Sequence, residues 1–160
     1  MNELRASIDI GSNSILLLVA EVTADGKIFE KEKLFEVTAL GKGLDKNKAF
    51  QDDKMEASFL ALKHYAEVCS RYGIKPEQII ATATEAARVA TNASEFFNRV
   101  EKELGIKVYI ITSNAEVYYS TKGVLGNTSF DSEFVTIMDI GGASTELMKV
   151  NTKDLSVVES

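Results

Sequence analysis

Apolar and polar positions alternate over residues 4–9, break at a polar turn over 10–14, and resume as a strongly apolar strand over 15–22. Alternation with period two is the mark of a strand with one buried face. Asp25-Gly26 is a two-residue hairpin signal, leading into a third strand over 28–37. The chain therefore opens with a three-strand meander. Residues 38–48 carry two glycines and are expected to form a loop. The pattern then changes period. Met55, Phe59, Leu62, Ala66 and Cys69 fall at alternating steps of four and three, one apolar stripe on a helix over 52–72, with Gly73 as its stop.

A short apolar strand over 78–83 follows, then an Ala-rich helical turn over 84–90. Asn92 with Glu95 three residues on fits a capping signal for a helix to Leu104, closed by Gly105. Residues 107–111 suggest a buried strand, and Asn114 is placed to cap a helix to Leu125. Residues 134–139 form a strand, Gly141-Gly142-Ala143 a turn, and a second strand runs through Val150, with another opening over 155–159. The order, three strands and then helices alternating with strands, implies a mixed sheet covered by helices. The expected division is a first domain over 1–125, a polar linker over 126–133, and the beginning of a second domain over 134–160.

Composition narrows the function classes. Eighteen basic against 24 acidic residues give a net charge of −6, and no Lys/Arg cluster interrupts that acidity, which argues against a nucleic-acid or anionic-membrane surface. The longest aliphatic run, residues 15–20, is far too short to span a bilayer, and residues 1–5 do not resemble a signal peptide. The expectation is a cytoplasmic protein. One cysteine and one histidine, Cys69 and His64, exclude a zinc cluster and the usual Ser-His-Asp centre, so any chemistry uses oxygen ligands. Cys69 continues the helix stripe and is assigned to the core, and His64 beside it is assigned no role. Tyr118 and Tyr119 are assigned to helix packing, and Asp52-Asp53 to a helix start.

One internal repeat carries chemistry. Asp9-Ile10-Gly11-Ser12-Asn13-Ser14 and Asp139-Ile140-Gly141-Gly142-Ala143-Ser144 match at Asp, Ile, Gly and Ser, and each joins two apolar strands. Glycine allows close approach of backbone to ligand. Ser hydroxyls and successive N–H groups in a tight turn cradle anionic oxygens. The Asp ahead of each turn repels phosphate but suits Mg²⁺, which bridges to phosphate oxygens. A single Asp-x-Gly is ordinary turn chemistry; two copies in matching strand contexts point to a two-jawed phosphate clamp.

The repeat resembles the phosphate loops of the actin/hexokinase/Hsp70-like superfamily. More narrowly, the chain resembles the N-terminal portion of the exopolyphosphatase/guanosine pentaphosphate phosphohydrolase (Ppx/GppA) family. Four segments carry the likeness: residues 8–14, 83–88 (Ala-Thr-Glu-Ala-Ala-Arg), 111–116 (Ile-Thr-Ser-Asn-Ala-Glu) and 139–146. The resemblance implies a ribonuclease H-like, actin-like α/β domain with a five-stranded mixed sheet flanked by helices, plus the first strands of a second similar domain. It implies hydrolysis of a terminal phosphoryl group of polyphosphate or a guanosine penta- or tetraphosphate, with Mg²⁺ as cofactor. Carried over, Glu116 becomes the base and Arg88 the pocket arginine that neutralises the transferred group. Asp9, Asp139 and Glu146 organise metal and water. Gly11, Ser12, Asn13, Ser14, Gly141, Gly142, Ala143, Ser144 and Thr145 become phosphate-loop positions.

The sequence also departs from the family. Two carboxylates beside Glu116 are absent, Ala143 replaces a third loop glycine, Ile15 stands where a basic residue often follows the first loop, and Glu85 replaces a small residue. At a helix N-terminus, Glu116 is expected to have a lowered pKa. It could still orient water, because a loose phosphoryl-transfer transition state needs little proton abstraction. Two other classes stay open: a kinase or ATPase on the same scaffold, and a phosphate or nucleotide sensor without turnover. The 160 residues alone are expected to hydrolyse little, and to associate, as a homodimer for example, through residues 134–158.

Overall fold

The computed structural model describes residues 2–126, 130–142 and 145–159. Its first hairpin joins β1 (Glu3–Ile10) to β2 (Ser14–Val22), with β3 (Ile28–Val37) antiparallel to β2. A short helix α1 (Leu44–Asn47) and the long helix α2 (Asp52–Arg71) follow. Next come β4 (Ile79–Ala83), α3 (Glu85–Val89), α4 (Ala93–Leu104) and β5 (Val108–Ile110). The chain continues through α5 (Ser113–Leu125), β6 (Phe134–Ile140), β7 (Thr145–Asn151) and β8 (Val157–Glu159). The first five strands form one mixed sheet in the order β3-β2-β1-β4-β5, and the last three a separate antiparallel sheet, β6-β7-β8. Parallel pairing of β1 with β4 and of β4 with β5 puts the ends of all three strands at one edge, where their loops open.

The alternation in β1 and β2 sends Ile8, Ile10, Ile15 and Leu17 to one face, where Ile79, Ala81 and Ala83 of β4 join them. Helices α2 and α4 cover that face with Phe59, Leu62, Tyr65, Phe96 and Val100. Full burial of one such side chain stabilises by about 1.5–3 kcal/mol. The buried stripe of α2 is wider than the predicted one, taking in Ser58, Ala61, Tyr65 and Val68, because a helix lying on a sheet hides a broad arc. Tyr65 is fully buried, and its hydroxyl donates to the Ile15 carbonyl at 2.9 Å. Gly73 and Gly105 follow α2 and α4 in left-handed conformations (φ +73° and +72°), as stop signals should.

Four expectations change. Residues 38–48 contain the short helix α1 as well as loop. Asn92 stands at the N-cap of α4 but caps nothing with its side chain; its Oδ1 accepts the Phe50 N–H at 2.8 Å and its Nδ2 donates to the Phe50 carbonyl at 3.1 Å. A long-range tie has taken the amide that a local cap would use. Thr112, and not Asn114, caps α5, accepting the Ala115 N–H on Oγ1 at 3.3 Å. β5 is shorter than predicted, and Tyr109 and Ile110 are exposed, because an edge strand has a neighbour on one side alone.

The second sheet rests on a small core of Leu125, Ile137, Met148 and Val150, with Val117 of α5 against it. Residues 127–129 of the expected linker, and Ala143 and Ser144 of the second loop, lie outside the described residues. No helix among the described residues is long and apolar enough to cross a membrane.

Candidate active site

The first loop, Gly11-Ser12-Asn13, closes when the Gly11 N–H donates to the Ser14 carbonyl at 2.9 Å. A Cβ on Gly11 would sit 3.2 Å from that oxygen, so the turn needs glycine or a small shift. The second loop leaves β6 at Ile140 and passes Gly141 and Gly142. It touches the first: a Cβ on Gly142 would lie 2.8 Å from the Asn13 Cβ and 3.2 Å from the Asn13 nitrogen. The duplicated hairpins thus meet, and both open into one cavity of about 1010 Å³. Gly11, Ser12, Asn13, Ser14, Gly141 and Gly142 line it, as do Asp9, Glu85, Glu116 and Asp139. Among the described residues no Lys, Arg or His lines it.

Glu116 stands in the first turn of α5, largely shielded from solvent. Arg88 of α3 holds it, with Nη1 3.0 Å from Glu116 Oε2 and 2.7 Å from the Ile111 carbonyl oxygen. The other side of the guanidinium is taken by Glu85, whose Oε2 accepts from Nη2 at 2.8 Å and from Nε at 3.1 Å. Arg88 therefore lies behind the cavity wall, shared between two carboxylates. The Glu116 pKa is raised, not lowered as its place at a helix N-terminus suggested: burial is the largest cause, Arg88 opposes it, and the charges of Glu146 and Asp139 add to the rise. Desolvation and like charges outweigh the helix dipole here. Asp9 is also raised, first by the protein mass around it and then by Glu116 and Asp139.

Asp139 and Glu146 are directly opposed across β6 and β7, on the face turned toward α5. Ser120 of α5 donates to Asp139 Oδ2 at 2.6 Å. The sequence reading passed over Ser120; its signal was the four-residue spacing from Glu116, which puts both on one helix face. Glu146 is felt electrostatically by Glu116 but does not line the cavity, and Thr145 is exposed at the head of β7. Tyr118 and Tyr119 are exposed and stack edge to face at 5.5 Å, so neither packs into the core; Tyr119 lines the cavity. Cys69 is buried, its thiol pushed up to about 11, while exposed His64 pairs with Glu36 at 3.1 Å.

Among the described residues no three His, Cys, Asp or Glu side chains converge as a ready-made metal cage. Mg²⁺ needs no such cage, because it keeps several waters and takes one or two carboxylates plus substrate phosphate. The oxygen donors of Asp9 and Asp139, the second adding to the first's cost of ionising, in a wall that holds no Lys, Arg or His among the described residues, fit such an ion.

A sequence model of the Ppx/GppA phosphatase family matches residues 18–160. The chain belongs to that family. The bifunctional 3-dehydroquinate synthase/phosphatase of Fusobacterium nucleatum is 40% identical over 161 residues, covering 96% of this chain and 24% of that protein. The crystal structure of the Aquifex aeolicus Ppx/GppA family member matches with a TM-score of 0.82 at 34% identity, over 99% of this chain and 50% of that one. An exopolyphosphatase-like protein matches at TM-score 0.88 and 30% identity, over 98% of this chain and 49% of that one. This chain thus spans about half the length of these solved Ppx/GppA relatives. The five-stranded mixed sheet is the actin-like domain of the family, with a three-stranded sheet beyond it.

Proposed function

We propose that the protein is a phosphoanhydride hydrolase that releases the terminal phosphate of inorganic polyphosphate, of guanosine pentaphosphate, or of both. The observation that carries this reading is Glu116, a shielded carboxylate of raised pKa on the wall of the one cavity into which both glycine loops open. A carboxylate tuned upward is a better general base than an ordinary one. Family membership supports phosphohydrolase chemistry, and the exopolyphosphatase-like neighbour supports the polyphosphate arm.

Loop N–H groups and the hydroxyls of Ser12 and Ser14, which line the cavity, hold the terminal phosphate oxygens. Glu116 accepts a proton from the attacking water as its oxygen bonds to phosphorus, and the bridging P–O bond breaks toward the leaving phosphate chain. Arg88 keeps Glu116 aimed while Glu85 shares its charge, so Arg88 works through Glu116 and does not neutralise the phosphoryl group itself. Asp9 and Asp139, with Glu146 beside Asp139, would hold Mg²⁺ or a similar hard cation. Such an ion would supply positive charge to a cavity whose described lining includes no Lys, Arg or His.

The test is phosphate release from tripolyphosphate, long-chain polyphosphate and guanosine pentaphosphate, each with and without Mg²⁺, by a protein that carries this chain at the length of its solved relatives. Metal-dependent release from at least one is expected. Binding without release would favour the sensor reading, and release from none would overturn the hydrolase.

A further inference from the structure

A phosphate loop works only if its N–H groups face the ligand and its carbonyl oxygens face away, since a carbonyl dipole aimed at phosphate repels it. In the first loop the carbonyls of Ser12 and Asn13 are occupied. The Asn13 carbonyl accepts from the Thr38 N–H at 3.1 Å and the Ala39 N–H at 2.8 Å, and the Ser12 carbonyl accepts from the Gly41 N–H at 2.8 Å. The N–H groups of Ser12 and Asn13 have no such backbone partner among the described residues. The donors come from residues 38–41, just after β3 leaves its pairing of Val37 with Ser14. Leu40 anchors this segment in the main core at 1% exposure, while Ala39 takes a left-handed conformation (φ +53°). A non-glycine residue is held there only where neighbouring contacts outweigh the steric cost of that conformation.

We infer that residues 38–41 form a strap that positions the first phosphate loop, and that Gly41 sets the distance between that loop and α3. A Cβ on Gly41 would meet the Ser12 Cβ at 3.0 Å, the Ser12 carbonyl oxygen at 3.2 Å and the Ala86 Cβ at 3.3 Å. Gly41 therefore sits between the loop and the helix that carries Glu85 and Arg88, where a methyl group would fit only if Ser12 or Ala86 moved by a few tenths of an ångström. The strap engages the Ser12 and Asn13 carbonyls and leaves the N–H groups of those two residues for an anion. Gly41 is a positioning residue that acts through Ser12. The inference rests on the reading of this loop as phosphate-binding.

The experiment compares Gly41→Ala with the wild type in the full chain, with inorganic phosphate as the probe. Displacement of a binding loop by a fraction of an ångström is expected to weaken phosphate binding about 10–100-fold, with a raised KM in turnover and a melting temperature near that of the wild type. A folded Gly41→Ala protein of wild-type phosphate affinity would overturn the inference. Adding Ala86→Gly removes the contact with α3 but leaves both contacts with Ser12, so binding should stay weak. Full restoration would move the effect to α3 and overturn the role assigned through Ser12. Should Gly41→Ala fail to fold, amide exchange on the wild type decides. Thr38, Ala39 and Gly41 should exchange slowly without ligand, and Ser12 and Asn13 should slow only when phosphate is added. Fast exchange at the three strap amides would overturn the strap. A wild type that binds no phosphate refutes the phosphate-loop reading, and the strap amides alone then judge the strap.

Discussion

Two hairpins of matching sequence rest on unequal supports. The first stands at the centre of a five-stranded sheet, with Ile10 and Ile15 buried beneath its loop and α2 and α4 packed below. The second belongs to a three-stranded sheet whose inner face buries Ile137, Met148 and Val150 and whose outer face leaves Phe134, Met138, Ile140 and Leu147 exposed. Their acidic positions differ as well. Asp9 has Leu16 as its cross-strand partner, whereas Asp139 has Glu146 and a hydrogen bond from Ser120. The ligand chemistry of a strand-turn-strand device is local, set by Asp, Gly and Ser at fixed offsets. Its rigidity is not local and comes from what each sheet packs against.

The largest effect that tests this contrast is on stability. Leu62→Ala in the main core should cost about 2–5 kcal/mol in chemical denaturation. Met148→Ala in the second core should cost less, because a sheet open to solvent on one face can relax around the gap. An equal or greater loss at Met148 would break the contrast. The next effect concerns support of the second acidic position. Ser120→Ala should raise the Mg²⁺ concentration needed for half-maximal phosphate release about 10–100-fold, the usual consequence of removing a group that orients a metal ligand. An unchanged metal requirement would mean that Asp139 is held by its strand alone.

The smallest effect is a shift along the pH axis. The water-activating carboxylate must be ionised, so the acid limb of kcat/KM should lie above the ordinary glutamate value, in the direction of the Glu116 shift. Arg88 is the group that opposes that rise, so Arg88→Gln should move the limb to still higher pH. Movement to lower pH would contradict the arrangement of charges around Glu116.

The strands, the long helix and both loops were legible in the sequence because period-two and period-3.6 patterns are local, as at Ile8, Ile10, Ile15 and Leu17 and along α2. The partners of individual polar groups were not. Asn92 looks like a cap and is instead tied to Phe50, 42 positions away. Glu116 looks like a helix-terminal acid of low pKa, but burial raises it first, and the carboxylates that add to the rise come from β6 and β7. Ser120 had a legible spacing from Glu116 and no legible target, since Asp139 reaches it only through the packing of α5 on the second sheet.

If Glu116 activates water between the two loops, as proposed, Glu116→Gln shows it in one protein. Turnover of whichever substrate the wild type accepts should fall about 10²–10⁴-fold, the range for a lost general base. Stability should behave in the opposite sense. An acid whose pKa is raised by folding binds more protons native than unfolded at intermediate pH, so its ionisation penalises the fold. The penalty is complete above the folded pKa and vanishes on acidification below the unfolded value. At neutral pH the neutral Gln should therefore melt no lower than the wild type. Unchanged kcat with a lowered melting temperature would mean that Glu116 is structural and that the base lies elsewhere.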